Sequence, residues 1–436
     1  MSFFRNVAFV LATSAAAVPI GVATSIVLAR WLSVADRGFY ALLTTFSAIL
    51  FLLTQLGWAE AVVYRTRRHG VSARRALSTG LLANGAFALA AVAVCLAARE
   101  PLSRAFLGAV PARAFLIAAA TVPLLTLGDL LRGVARALDR FDLHNQFGLL
   151  QSGLLLAALV VALPLTGGAL DSALAANFAV QLALVAGFGT RIAALAGFEW
   201  RIDLREAIAS VAYGGNLYLQ NLLIQLHERV DVLLLAALGV SAFEIGLYAA
   251  AVSVVAPLRL VPGAIGTVLL PRLAGSTDAE AGSLTAEVVR PAILLMLAAA
   301  VALAPVGIVG IPLLFGRDYS QAVTPFLVLL PGVMAVTISR VLARYFAAVG
   351  RQRAVLLLRA AMLALNVALN AVLIPRAGIT GAAFASLISY GVEAAATIAL
   401  FLADSGQGLR AALVPRASDF GGTLARLREI ASRRPR

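Results

Sequence analysis

The sequence predicts an all-α, polytopic membrane protein made of two six-helix lobes around a central cavity, and three observations lead there. Of 436 residues, 61% are hydrophobic and 13% charged, and the mean hydropathy of +0.94 lies well outside the range of soluble domains. Twelve apolar stretches approach or exceed the roughly 20 residues that cross a bilayer. They run at about 7–29, 39–59, 76–98, 114–131, 147–165, 173–190, 207–239, 245–270, 291–315, 322–339, 354–374 and 379–403. Finally, the chain repeats itself at half its length.

The repeat is legible residue by residue. Ser33, Asp36, Gly38, Tyr40 and Ala41 match Ser241, Glu244, Gly246, Tyr248 and Ala249 at an offset of 208, and Arg132, Ala135 and Arg136 match Arg340, Ala343 and Arg344 at the same offset. Pro164 and Gly167 match Pro375 and Gly378 at 211. An even number of spans per copy leaves both copies in one orientation, so the repeat is parallel, about an axis along the membrane normal. The organisation that follows is an N-lobe over 1–196, a cytoplasmic linker over 197–206, a C-lobe over 207–403 and a basic cytoplasmic tail over 404–436.

The first span, from Val7 to Ala29, follows Arg5 and lacks a small-residue cleavage site, so it reads as retained and not as a signal peptide. All 35 basic residues are Arg. They concentrate in alternate connections, at Arg65, Arg67, Arg68, Arg74 and Arg75, then Arg132, Arg136 and Arg140, and again in the tail, which places both termini in the cytoplasm. The formal charge of +14 therefore reads as topology, not as a nucleic-acid face. The single Cys95 excludes a disulfide framework and a thiolate metal site. No GxxxxGK[ST], HExxH or GxSxG occurs and no connection is long enough for a soluble domain, so neither ATP hydrolysis nor common hydrolytic chemistry is signalled and no cofactor is expected.

The seventh span is too long for one straight crossing, and Gly214-Gly215 near its start predicts a kink. Its centre holds His227, Glu228, Arg229 and Asp231, although each ionisable group at that depth costs roughly 2.5 to 3.5 kcal/mol. On a helix, Asn221, Gln225 and Glu228 share one stripe with Arg229 and Asp231 on its shoulders, while His227 projects away. The stripe reads as one wall of a polar cavity. In the eighth span Arg259 stands between Pro257 and Pro262, which loosen the helix.

Several stretches resemble the polysaccharide (O-antigen) flippases of the multidrug/oligosaccharidyl-lipid/polysaccharide (MOP) exporter superfamily. They are ARWLSVADRGFYALLTTFSAIL, RVDVLLLAALGVSAFEIGLYAAAV, VLLPRLA, LFGRDYSQAVTPFLVLLPG and NAVLIPRAGITGAAFASLISY, spread over about 10–402. The resemblance implies a 12-helix, two-lobed fold in the bacterial inner membrane, with an undecaprenyl-pyrophosphate-linked oligosaccharide carried to the periplasmic leaflet. It implies as partners that lipid-linked oligosaccharide, membrane lipids and a polysaccharide polymerase or glycosyltransferase complex. The lipid II flippases of the superfamily carry two additional helices, which favours the polysaccharide branch.

Such a substrate needs cations for pyrophosphate and polar partners for sugars. Arg259, Arg229 and Arg30 are candidates for the first task, because the guanidinium fork matches phosphate oxygens, and Gln225 and Asn221 for the second. Each has a structural alternative. Arg259 can pair with Glu228 or Asp231, Arg229 can be neutralised by those same acids, and Arg30 can be a helix-end anchor. Glu228, Asp231 and His227 are candidates for proton or sodium coupling, or else a static cluster. Glu393 and Arg359 read as a structural pair, and Asn366 and Asn370 as packing amides. In the tail, Phe420, Leu424, Leu427 and Ile430 recur at helical spacing, as in a helix lying on an anionic leaflet. Two other function classes remain open: a multidrug or cation antiporter of the same superfamily, and a non-transporting scaffold for glycan assembly.

Overall fold

The computed structural model describes residues 18–414, except 261, 264, 267, 268, 270–272 and 274, so the helix expected from Phe420 to Ile430 lies outside the described residues. Every regular element among them is helical. In order these are α1 (Val18–Trp31), α2 (Val34–Gln55), α3 (Trp58–His69), α4 (Ala73–Ala97), α5 (Ala112–Ala137), α6 (Phe141–Leu165), α7 (Leu170–Ala196), α8 (Leu204–Ala237), α9 (Ala242–Val255), α10 (Asp278–Gly310), α11 (Val323–Ala348), α12 (Gln352–Ser405) and α13 (Leu409–Leu413).

Nine segments among the described residues are long and apolar enough to span a membrane. The expected twelve follow once α12 is counted as two crossings and α1 and α8 are added. Ala377 and Gly378 leave helical geometry inside α12, and Asn366 Nδ2 donates to Ser389 Oγ at 3.2 Å across that break, so its halves fold back on each other. α8 is set apart by the polar residues at its centre, which lower its hydropathy.

Contacts divide the chain into two units. The first comprises the chain up to Ala250 with Leu314–Ser320 and Ile374–Ile379; the second comprises Ala251–Leu313, Gln321–Leu373 and the chain from Thr380 onward.

In the first unit, α5 is the central helix. Its Leu130, Leu131 and Val134 are fully buried among Trp58, Leu77, Phe147 and Phe188. Because lipid tails are as apolar as these side chains, such packing holds through close van der Waals fit and not through water exclusion. The two copies of the SxxD/E motif begin α2 and α9 in the same way. Ser33 Oγ accepts from Asp36 N at 3.0 Å, and Ser241 Oγ accepts from Glu244 N at 3.3 Å, which satisfies a first-turn donor in each helix. One turn later come Gly38 and Gly246, which face one another. A Cβ on Gly38 would overlap the Ala242 carbonyl, and one on Gly246 would overlap the Val34 carbonyl.

The helix is not broken at Gly214-Gly215, since α8 runs without interruption over 34 residues. The break lies instead between α2 and α3, where Leu56 (φ 48°) and Gly57 (φ 71°) are left-handed. Gly214 fits into that break: a Cβ there would stand 2.8 Å from the Leu56 and Gly57 carbonyls, so glycine permits contact between helices and not bending within one. Near its start α8 is fastened by charge. Arg65 donates from Nε and Nη2 to the two oxygens of Glu206, both at 2.6 Å, and Arg75 pairs with Asp203.

Leu314–Ser320 belongs to the first unit because cations hold it. Arg37, 4% exposed, donates to the Ser25 carbonyl at 2.5 Å and to Ser25 Oγ at 2.7 Å, and its guanidinium stands 5.0 and 5.4 Å from the ring centres of Phe315 and Tyr319. Arg30 Nε donates to the Leu314 carbonyl at 2.7 Å.

The second unit has its own core, in which Tyr345, Phe346 and Phe401 pack with Leu269, Leu273 and Val341. α10 begins with a capping box in which Thr277 and Glu280 satisfy each other's backbone donors. Arg290 holds the Ala411 carbonyl at 2.6 Å, which secures α13.

Three outcomes follow. Gly38→Ala and Gly246→Ala each lower the melting temperature of the detergent-solubilised protein, while Gly153→Ala, with open space around it, leaves it unchanged. Arg65→Ala strands the buried Glu206 and costs about 3 kcal/mol in the same melts. Arg37→Ala raises amide hydrogen exchange at 314–320 at least tenfold.

Candidate functional site

Six of the eight residues singled out from the sequence lie on α8 within about three turns: Asn221, Gln225, His227, Glu228, Arg229 and Asp231. Their burial is graded around the helix. Asn221 is exposed, Gln225, Glu228 and Arg229 are half-buried, and His227 and Asp231 are 5% and 3% exposed. Asp231 is answered inside the first unit, where its Oδ2 accepts from the hydroxyl of Tyr248 at 2.9 Å. Tyr248, itself 1% exposed, is the α9 residue that the repeat pairs with Tyr40. Lower on the same helix, the Tyr218 hydroxyl donates to the Leu52 carbonyl.

The accessible polar side of α8 therefore carries an amide (Gln225), a carboxylate (Glu228) and a guanidinium (Arg229), backed by a buried carboxylate held by a phenol. Such a surface can exchange hydrogen bonds with a polar solute. No group of three His, Cys, Asp or Glu side chains that would hold a metal ion occurs among the described residues.

Arg259 lies in the second unit. α9 ends at Val255, and Ala256–Leu260 forms a tighter 3-10 turn containing Pro257, which presents Arg259 half-buried. The loosening expected from Pro257 takes that form. Arg30 stands exposed near the end of α1, held to the Leu314 carbonyl.

Two further buried groups sit in the second unit. Arg359 and Glu393, 8% and 4% exposed, act on each other electrostatically, and Glu393 Oε1 accepts from Ser339 Oγ at 3.1 Å. Asn366 and Asn370 are fully buried, with Asn370 Nδ2 donating to the Asn366 carbonyl at 2.9 Å. A polar pocket of about 210 Å³ also lies beside the start of α8 in the first unit, lined by Arg75, Thr79, Glu199, Arg201 and Asp203.

Sequence reasoning missed Arg37 and the Arg65–Glu206 pair. For Arg37, the available signal was the aromatic pair Phe315 and Tyr319, four residues apart as if to flank one cation. Nothing local tied that pair to residue 37.

A family model described as "Polysaccharide biosynthesis protein" matches residues 27–324, well over half of the chain. No curated protein matches it in sequence. Among solved structures, the chain is similar to the lipid II flippase MurJ in an inward closed conformation, with a TM-score of 0.73 at 12% identity over 98% of this chain and 93% of that one. It is also similar to an inward-facing multidrug resistance MATE family transporter of the MOP superfamily, with a TM-score of 0.72 at 13% identity over 89% of this chain and 94% of that one. A MOP superfamily transporter from Pyrococcus furiosus gives 0.64 at 12% identity over 92% and 94%. Likeness at such identities establishes the fold, while the family model establishes descent. The chain is thus a multi-pass membrane protein that belongs to the polysaccharide biosynthesis protein family and has the fold of MOP superfamily transporters.

Proposed function

We propose that this protein is a flippase that moves undecaprenyl-pyrophosphate-linked oligosaccharide from the cytoplasmic to the periplasmic leaflet by alternating access. It would act without enzymatic chemistry, in the bacterial inner membrane with both termini in the cytoplasm, as two parallel-repeat lobes. The observation that carries the reading is the polar centre of α8, a membrane-crossing helix that keeps Gln225, Glu228 and Arg229 partly accessible and Asp231 buried. A purely structural helix has no use for that arrangement, because each buried charge opposes insertion. The family match supports the substrate class, since one route of polysaccharide synthesis carries its sugars on polyprenyl pyrophosphate.

In this reading Arg259, Arg229 and Arg30 meet the pyrophosphate at successive stages, and Gln225 and Asn221 meet the sugars. Glu228 and Asp231, with His227 behind them, couple movement to a proton or sodium gradient. Multidrug export is a second reading, favoured by the likeness to multidrug MATE transporters. The arginine content of the candidate set opposes it, since cationic drugs call for acidic and aromatic walls.

In a strain lacking the protein, mass spectrometry of lipid extracts should find accumulated polyprenyl-pyrophosphate oligosaccharide that a periplasmic glycan-modifying enzyme cannot reach. Normal levels and normal accessibility, with new drug sensitivity, would select multidrug export instead. Arg259→Ala should insert normally and abolish polymer export. Asp231→Asn keeps an acceptor for Tyr248 but cannot exchange a proton, so its residual transport should become insensitive to collapse of the proton gradient.

A further inference from the structure

The connection between α7 and α8 alternates in character. Ala196 ends the one helix and Leu204 begins the other, so the chain between two crossings stays at the membrane boundary. Glu199, Arg201 and Asp203 line the polar pocket of about 210 Å³, together with Arg75 and Thr79 of α4. The residues between them are exposed instead: Trp200 at 86%, then Ile202 and Leu204, with Ile208 one turn along α8 extending the row. Phe198 joins that row, its ring edge-on to Trp200 with centres 5.2 Å apart. A tight turn explains the alternation. Arg201 N donates to the Glu199 carbonyl at 2.8 Å, which sets Trp200 at the apex and leaves its two charged neighbours on the pocket side. An apolar row with a tryptophan at its tip gains nothing from facing water, and it suits the boundary where lipid headgroups give way to tails.

The charged side is built against α4. Glu199 N donates to Ser78 Oγ at 2.9 Å and Asp203 N to Thr79 Oγ1 at 3.2 Å, and both hydroxyl residues are fully buried. Gly197, at φ 80°, turns the chain out of α7, and a Cβ there would stand 2.6 Å from Arg74 Nε, so side-chain-free backbone lets the connection close on α4. Arg75 is answered by Asp203. Glu199 and Arg201 remain, and among the described residues neither forms an ion pair, with the other or elsewhere. A carboxylate and a guanidinium flanking one turn, facing one pocket and not meeting each other, leave room for a ligand that carries both signs.

We propose that this pocket is a headgroup site for phosphatidylethanolamine, with the acyl chains of the lipid lying along the row from Phe198 to Ile208. Glu199 accepts from the primary ammonium and Arg201 donates to the phosphate. The ammonium must carry N–H groups to be held in that way, which excludes a choline headgroup. Two cations balanced by two carboxylates give a purely anionic headgroup no advantage. The cavity is several times the ~30 Å³ share of one water, more than a bare ion needs. Binding there does not depend on which solute the protein moves.

Native mass spectrometry of the full-length protein in detergent tests the site, with phosphatidylethanolamine, phosphatidylcholine or phosphatidylglycerol of identical chains added one at a time. Wild type should retain one phosphatidylethanolamine about tenfold more strongly than either other lipid, as the loss of one hydrogen bond to a charged group implies. Glu199→Gln should abolish the preference over phosphatidylcholine, and Arg201→Gln should weaken phosphatidylethanolamine about tenfold. Soluble phosphoethanolamine at the same concentration should not displace the lipid, because it lacks the chains. Equal retention of the ethanolamine and choline lipids overturns the site, as does a preference for phosphatidylglycerol or unchanged retention in either monodisperse variant. Displacement by soluble phosphoethanolamine assigns the pocket to a free zwitterion and overturns the lipid as its occupant. If one variant is not monodisperse, the other decides.

Discussion

A polar group inside a membrane-spanning bundle must find its partner within the protein, because hydrocarbon offers neither a hydrogen bond nor a counter-ion. Much of this structure follows from that constraint. Asp231 is met by Tyr248, and Arg37 by Ser25 and two aromatic faces. Ser and Thr hydroxyls inside helices turn back to carbonyls one turn earlier, as Thr121 does to Ile117 and Thr285 to Ala281. The contacts of Arg37 fasten helices, while Asp231 sits beside the accessible polar side of α8.

The repeat gives this accounting its force, since two copies of one scaffold diverge in charge while retaining shape. Near the start of α2 and of α9 the copies agree, with a capping serine, an acid three residues on and a glycine beyond it. In the arginine pairs of α5 and α11 they part. There Asp129 of the first copy corresponds to Thr337 in the second.

The fold was largely legible in the sequence because span length, hydropathy and arginine placement are properties of single segments. The repeat could be read from a handful of matched residues, and the charged centre of α8 stood out against its apolar surroundings. What stayed hidden depends on meetings between distant segments. Gly214-Gly215 signals a bend or a close approach equally well, and only the presence of Leu56 and Gly57 opposite shows that it is an approach. Arg37 gives no signal of its own in the sequence, and its place depends on Phe315 and Tyr319, which stand against it. The candidate residues on α8 were legible as a stripe, but the partner of Asp231 was not, since Tyr248 follows it across a turn whose geometry no periodicity describes.

The meeting of Gly38 with Gly246 is reciprocal: Gly38 approaches the carbonyl of Ala242, and Gly246 that of Val34, the residue 208 places earlier than Ala242. Such an exchange of equivalent contacts is the hallmark of an interface between identical subunits. Two separate half-length chains bearing this motif would already present self-complementary surfaces to each other. A gene duplication that joined them would then have inherited a working contact.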